Sequence, residues 1–442
     1  MRSRLLVLVI ACSAALLAGC AASPPVETTS TATSTPSVQE PTGSAPLGFS
    51  TVDGQAVTLP TDGGWPGLLD GLNAYPVDGH ATLWGISLPG GQAIFNTSLT
   101  SQDGGAASDW GCPVQAVDAQ NIYTAVSNLA DPHAPAFLEV SAVDKLSGDV
   151  LWRYLATIDV MPGADSGCGS PLAYDLTATA AGLLVSLTQT DQMSDAVTQT
   201  SSMLDATTGD ELWNITGLVS AATQARVGIV VLSDFTNSSV QLNLIDLDAG
   251  QVGPSVATAK ARDGFEMTRF YLAGQSGQML FIVQVESQIS REPAPGGSTD
   301  QLSVIQVGAN ADRLTNQRSW QVEQAGLGNC QLGSDQVLVC QSNANANLAF
   351  GISLTSGATI WQRQYAPDYD GAAPQIGPPL LFSGHLYGVD SSGATSFVSD
   401  VNSGQVVAVG TWPQLLVVNQ FGAIASVSQG QGGPYQWIPA QH

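Results

Sequence analysis

Histidine and cysteine are the scarce reactive residues of this 442-residue chain, and their spacing bounds the chemistry it can carry. The four histidines are His80, His133, His385 and His442, and none stands at a metal-ligand spacing. His385 lies in a strand-like stretch, HLYGV, which suits a structural role better than a catalytic one. The six cysteines are Cys12, Cys20, Cys112, Cys168, Cys330 and Cys340; they are neither adjacent nor clustered with histidine as a metal site requires. No Gly-x-Ser-x-Gly elbow, phosphate loop, dinucleotide fingerprint or D-x-D-x-D-G calcium loop stands out. Asn96, Asn214 and Asn237 begin glycosylation-like triplets. No residue is therefore assigned a catalytic, cofactor-binding or metal-binding role. Many aspartates sit instead in turn-like stretches, where a short acceptor side chain bonds backbone N–H groups.

Those turns share one pattern. Residues 141–152, SAVDKLSGDVLW, read as a strand, a tight turn at Ser147-Gly148 and a second strand ending at Trp152. The glycine admits a positive φ at no steric cost. The same hairpin recurs around Gly91, Gly209, Gly250, Gly357 and Gly404. Four residues before the glycine stand Ser87, Asp144, Asp205, Asp246, Ser353 and Asp400. Four residues after it stand Phe95, Trp152, Trp213, Pro254, Trp361 and Ala408. The first position caps the turn; an aromatic at the second can pack onto a neighbouring unit.

The interval from Gly250 to Gly357 is about twice the usual spacing and holds a further unit, with strands near 270–272, 279–285 and 302–307 and an end at Trp320. At the C-terminus, residues 423–428, Gly433 and Trp437 repeat the glycine-to-aromatic step. Two strands precede each hairpin, as at 114–117 and 122–126, or 176–180 and 183–188. Four antiparallel strands in about fifty residues, repeated about eight times, specify an all-β β-propeller of eight four-stranded blades, or seven if degenerate units merge. A sandwich would not repeat one hairpin, and a β-helix would have a shorter period. Only three strands remain after Gly404, so the stretch 49–59, FSTVDGQAVTL, is expected to supply the missing strand and close the ring. If the glycine turns join third to fourth strands, the connections between second and third strands and between units share the opposite face. The long insertions at 128–136, 159–171, 191–200 and 287–300 fall there, which marks that face for binding.

The hairpin resembles the pyrroloquinoline-quinone-type propeller repeat with its tryptophan-docking motif, A-x-D-x-x-[TS]-G-x-x-x-W. Ala142, Asp144, Ser147, Gly148 and Trp152 match it fully; Asp205, Thr208, Gly209 and Trp213 match with Met203 at the alanine position; Ser356, Gly357 and Trp361 match in part. The resemblance spans the chain from about residue 49 and implies that each tryptophan docks between adjacent blades, which Pro254 and Ala408 put in doubt for their units. Dehydrogenases of the family carry a quinone, a Ca²⁺ and a vicinal cysteine disulfide; this chain has no adjacent cysteine pair, and no quinone or calcium ligand can be assigned. The family's other branch, lipid-anchored propellers without enzymatic activity, fits the length and the missing site better.

The address agrees with that branch. Arg2 and Arg4 followed by an apolar run over 5–17 form an export signal, too short to span a bilayer. Leu17-Ala18-Gly19-Cys20 resembles a bacterial lipobox, which implies cleavage before Cys20 and its lipidation. The expected organisation is a signal peptide over 1–19, a lipidated Cys20 with a Ser/Thr/Pro-rich tether over 20–48, and the propeller over 49–442. Four cysteines then remain for an oxidising compartment. Cys330 and Cys340 flank a tight hairpin and are paired on that ground; Cys112 and Cys168 pair by elimination. A formal charge of −24, from 12 Lys+Arg against 36 Asp+Glu, argues against nucleic acid and against a bare anionic membrane as partner. The expected function is a binding or scaffold module on the extracytoplasmic face of the cell membrane, held by Cys20 and engaging an envelope protein or wall ligand, without cofactor. A quinone-dependent oxidoreductase and a glycan-binding propeller are the alternatives.

Overall fold

The computed structural model describes residues 45–49, 57–59, 65–88, 90–99, 113–128, 137–158, 172–190, 197–221, 225–234, 239–260, 265–276, 279–288, 300–308, 318–323, 327–334, 336–342, 348–364, 380–389, 395–426 and 435–441. Cys20, Cys112 and Cys168 lie outside them, as do His133, His442 and Gly433. No helix occurs among the described residues.

The strands form eight antiparallel sheets in chain order. Sheet 1 comprises Trp65–Asp70, Asn73–Val77, Thr82–Ser87 and Gln92–Ser98. Sheet 2 comprises Val114–Val117, Asn121–Asn128, Phe137–Asp144 and Val150–Thr157. Sheet 3 comprises Leu172–Ala178, Leu183–Thr190, Val197–Leu204 and Glu211–Thr216. Sheet 4 comprises Leu218–Ser220, Val227–Asp234, Ser239–Asp246 and Gln251–Lys260. The long interval before Gly357 yields its own sheet 5, Phe265–Ser276, Met279–Gln288, Asp300–Gly308 and Arg318–Glu323. Sheet 6 comprises Leu327–Ser334, Val337–Ser342, Leu348–Ser353 and Thr359–Gln364. Sheet 7 comprises Leu380–Phe382, His385–Val389, Ser396–Asp400 and Val406–Gly410. Each of these seven is a meander in which consecutive strands pair.

Sheet 8 differs. Leu415–Asn419, Gly422–Ser426 and Tyr435–Gln441 supply its first three strands. Its outer position is filled from the other end of the chain. Gly48 and Phe49 pair with Gln441 and Ala440, and Val57 and Thr58 pair with Trp437 and Gln436. Trp437 therefore sits on a third strand. The last hairpin of the chain joins strands two and three, so its aromatic is not a docking residue of the Gly148–Trp152 kind. Taking the outer strand from residues 48–58 shifts the register of the whole unit by one strand.

The core is divided among the junctions between sheets. Eight apolar clusters occur, one at each junction between consecutive sheets and one between sheets 8 and 1. Period-two alternation shares each inner strand between two junctions. In the second strand of sheet 2, Ile122 and Val126 face sheet 1 while Tyr123 and Ala125 face sheet 3. Such strands carry apolar residues on both faces because both faces are buried, not one. The closing junction joins Leu59, Ile424, Tyr435 and Trp437 of the sheet 8 side to Ala74, Ile86 and Leu88 of sheet 1. The eight sheets thus pack face to face in series, as the sheets of a β-propeller do.

Candidate functional site

The recurring hairpin turns have one geometry. Gly91, Gly148, Gly209, Gly250, Gly357 and Gly404 all have φ between 64° and 77°. The capping residue accepts from two N–H groups of its own turn: Asp144 from Leu146 and Ser147, Asp205 from Thr207 and Thr208, Asp246 from Asp248 and Ala249. Bonds from Ser147 and Leu146 hold the Asp144 carboxyl below the usual carboxylate range, and those from Thr208 and Thr207 do the same for Asp205. At Asp400 the Ser403 hydroxyl is the largest of the lowering causes.

The turn glycine has a second duty that φ alone does not reveal. The aromatic of one sheet lies on the turn glycine of the next. A Cβ on Gly148 would stand 2.4 Å from the Phe95 ring, one on Gly209 2.6 Å from Trp152, one on Gly250 2.5 Å from Trp213 and one on Gly404 2.4 Å from Trp361. The indole N–H groups donate into the same turns: Trp152 to the Ala206 carbonyl at 3.0 Å, Trp213 to Leu247 at 2.8 Å and Trp361 to Val401 at 2.6 Å. The docking implied by the repeat is thus present for all four aromatics. Within its own sheet each aromatic lies opposite a strand-three residue: Ala142 for Trp152, Met203 for Trp213, Gly351 for Trp361 and Gly85 for Phe95. Two of these are glycines whose Cβ would enter the ring, which explains the small residue of the motif. In sheet 7, Ala408 leaves no aromatic at the expected step. Trp412, four residues on, takes the place: it is buried and meets Phe49 edge-on at 5.5 Å. A fixed offset from the glycine missed it.

Polar side chains complete these junctions. Lys145 reaches Asp70 of sheet 1 and the Asp118 carbonyl of its own sheet. Arg153 pairs with buried Glu139 at 2.8 Å and donates to the Leu99 and Ser98 carbonyls. Asn419 of sheet 8 donates to the Gly71 carbonyl of sheet 1, and Ser334 of sheet 6 to Asn402 of sheet 7. The Lys145, Asn419 and Ser334 contacts sit between short turns on one face.

Cys330 and Cys340 are directly opposed across the first two strands of sheet 6, with their sulfurs 2.08 Å apart, buried at the junction with sheet 5. His385 Nδ1 lies 3.0 Å from the Ser383 carbonyl of its own turn. Among the described residues no group of three or more His, Cys, Asp or Glu side chains converges as a metal site would.

The two faces of the propeller differ. Turns from first to second and from third to fourth strands lie together, as the Asn121–Asp144 pairing and the bond from Lys145 N–H to the Gln120 carbonyl show. They are mostly short. The strand ends on the opposite side, where strand two leads to strand three and one sheet to the next, are joined by longer stretches of chain, among them 129–136, 159–171, 191–196, 289–299 and 365–379, which lie outside the described residues. The insertions expected at 128–136, 159–171, 191–200 and 287–300 lie largely outside the described residues.

A cavity of about 280 Å³ lies between sheets 2 and 3 in the half nearer that face. One wall is the face of sheet 3, formed by alternate residues: Val185, Leu187 and Gln189 on its second strand, Thr200 and Ser202 on its third. The other is formed by Tyr154, Leu155, Ala156 and Thr157, four consecutive residues of the outer strand of sheet 2, over Leu138. A hydrogen-bonded chain borders it. The Tyr154 hydroxyl donates to Glu211 Oε2 at 2.6 Å, Ser202 donates to the same oxygen at 3.2 Å, and Asn214 Nδ2 donates to Ser202 at 2.6 Å. Desolvation, with Glu211 beside it, pushes the Tyr154 hydroxyl up to about 12, so it stays a donor at neutral pH. No basic residue lines the cavity. The sequence pattern did not reveal this site, because its walls come from different repeats. The only signal was that three of the four long insertions flank these two sheets.

No protein-family model matches the chain, and no curated protein does. Among solved structures it is similar to BamB from Moraxella catarrhalis, at 10% identity over 89% of this chain and 99% of that one, with a TM-score of 0.47. It is similar also to the computationally designed Ika8 protein, at 13% identity over 90% and 100% of the two chains, TM-score 0.47. A quinohemoprotein alcohol dehydrogenase from Comamonas testosteroni follows at 12% identity over 84% and 65%, TM-score 0.38.

Proposed function

We propose that the mature protein is an extracytoplasmic lipoprotein, anchored in the cytoplasmic membrane through lipidated Cys20, whose eight-bladed acidic propeller is a non-enzymatic binding module for an envelope protein or wall ligand. The observation that carries this reading is the unequal sharing of connections between the two faces. The described turns of one face are mostly short and cross-bonded, and the stretches of chain that join the strand ends of the other are longer. Binding surfaces of repeat rings are built on such gathered loops. The position of the N-terminus supports the same division. Gly48 pairs with Gln441, at the end of a strand that reaches the short-turn face, where Ala440 N–H bonds the Phe421 carbonyl.

Two steps test the proposal in the host cell. Cys20→Ser should move the protein from the membrane fraction to the soluble one. Crosslinking of the wild-type protein in membranes should then recover a partner that is lost when residues 160–170 are replaced by a short Gly-Ser linker. Recovery of no partner with several crosslinkers, or equal recovery with the shortened loop, would count against the binding face. Saturable binding of pyrroloquinoline quinone with Ca²⁺, together with dye-linked alcohol oxidation, would replace the proposal by an oxidoreductase.

A further inference from the structure

We infer that the outer strand of sheet 7, Val406–Gly410, is a self-pairing edge through which two copies of this chain join, strand to strand, about a two-fold axis at Ala408. This goes beyond the binding-module reading and does not depend on it. An outer strand has a side whose main-chain N–H and C=O groups its own sheet leaves unpaired, and folded chains guard such an edge with charge or proline. Sheets 2 to 6 follow that rule. Their outer strands carry Arg153, Glu211, Lys260, Arg318 and Arg363 in turn. Sheet 1 has no charge on its outer strand but sets Gln92, Asn96, Thr97 and Ser98 among the apolar residues. The outer strand of sheet 7 reads VVAVG and has neither. Its valines are open to solvent: Val406 is 39% exposed, Val407 46% and Val409 66%. Among the described residues no strand pairs with its outer side.

Charge selects a second copy as the occupant. The chain carries a formal −24, so two copies repel each other in most orientations. One continuous stretch is the exception: residues 401–442 contain no Asp, Glu, Lys or Arg. That stretch supplies the outer strand of sheet 7 and the three strands Leu415–Asn419, Gly422–Ser426 and Tyr435–Gln441 of the neighbouring sheet 8. The remaining pieces of sheet 8, Gly48–Phe49 and Val57–Thr58, are uncharged too. Through these strands two acidic bodies can meet without bringing carboxylates together. A charged partner would gain nothing from this edge, and a bilayer would cover the valines while leaving the main-chain groups without partners. An identical strand satisfies both, because it matches the edge in length, apolar character and neutrality. Identical edges pair isologously, and a strand pair related by a two-fold axis is antiparallel. Full overlap of the five residues sets Ala408 opposite Ala408 and Val407 opposite Val409 of the second copy, so the most exposed valine is covered in both copies.

Sedimentation velocity of the full chain carrying Cys20→Ser, without detergent, is expected to show a monomer passing to a dimer as concentration rises. Added salt should strengthen the dimer, because it screens the repulsion between the two bodies and leaves an uncharged contact untouched. Val409→Lys and Val407→Glu each set a charge opposite a valine and should weaken the dimer about tenfold or more. Mixing the two variants sets the new lysine opposite the new glutamate and should restore a mixed dimer. Ile94→Lys, at an exposed site on the outer strand of sheet 1, should leave the dimer as it is. If either valine variant fails to fold, hydrogen exchange of the wild-type amides at 406–410 decides, with protection that rises with concentration as the expected result. A monomer at every concentration, a dimer weakened by salt or by Ile94→Lys, a dimer undiminished by the folded valine variants, no recovery on mixing them, or amide protection independent of concentration would each overturn the inference.

Discussion

At the scale of single residues, one glycine serves two constraints that can be separated by experiment. Gly209 has a φ of 76°, and a Cβ there would stand 2.6 Å from the Trp152 ring. Gly384 has nearly the same φ, 74°, with nothing within 4 Å of its Cβ position. Gly384→Ala should therefore cost only the left-handed backbone, about 1–2 kcal/mol. Gly209→Ala should cost that and more, because the docked indole must move, and Trp152→Ala should fall in the range of about 3–5 kcal/mol. Urea unfolding of the three variants measures the difference; equal losses for the two glycines would show that docking adds nothing. The capping aspartates carry a pH dependence. Asp144, Asp205 and Asp400 have depressed carboxyl values in the folded chain, so their stabilisation is full above the unfolded value of about 3.9 and is lost as pH falls through the folded values. The unfolding temperature should be flat from neutral pH to about 5 and fall below about 4. Asp144→Asn with Asp205→Asn keeps the acceptor oxygen and removes the titration, and should make that fall shallower. An unchanged slope would assign acid sensitivity to other groups.

At the scale of elements, residues 48–58 tie the start of the body to its last strand. Phe49 is buried between Tyr387 and Trp412, with ring centroids 6.0 and 5.5 Å away, and the Tyr387 hydroxyl donates to the Pro46 carbonyl. Phe49→Ala should cost about 3–5 kcal/mol by thermal or urea unfolding. Removing residues 45–59 should do more, since it uncovers the outer edge of sheet 8 and the junction with sheet 1 together, and should promote association through the bared strand. A truncated protein with wild-type unfolding temperature and size would contradict this. Closure from residues 49–59 was legible because strands can be counted and one was missing. The hairpins were legible because Gly148 and its counterparts need a left-handed backbone that few other residues tolerate. What stayed hidden involves distances the chain does not encode locally. Lys145 finds Asp70 across 75 residues, and Trp412 replaces an aromatic that a fixed step would have placed at Ala408. Trp437 looked like a docking residue because its glycine step is right, but the strand it occupies depends on which end of the chain supplies the outer edge. The cavity at Tyr154 was invisible for the same reason: it belongs to a junction, and no single repeat contains it.

At the scale of the whole molecule, the consequence of this architecture is polarity along the propeller axis. Short turns tie sheet to sheet on one face, through Asn419 to Gly71, Lys145 to Asp70, Trp152 to Ala206 and Ser334 to Asn402. The chain enters sheet 8 on that face, and the cavity at Tyr154 lies in the opposite half. If Cys20 carries the lipid anchor, the Ser/Thr/Pro-rich stretch that follows it sets how far the body stands from the membrane. Orientation relative to the membrane is then a preference rather than a lock, and shortening the tether converts it into a constraint. Deleting residues 24–43 should hold the short-turn face close to the bilayer and leave the long connections exposed. If the binding face is the far one, partner capture in membranes should persist in the shortened protein at wild-type yield. If it is the near one, the bilayer would occlude it and capture should fall steeply, while the same deletion in a Cys20→Ser background would leave capture intact. Loss of capture confined to the anchored form would reverse the assigned polarity, because the two proteins differ only in the presence of the membrane.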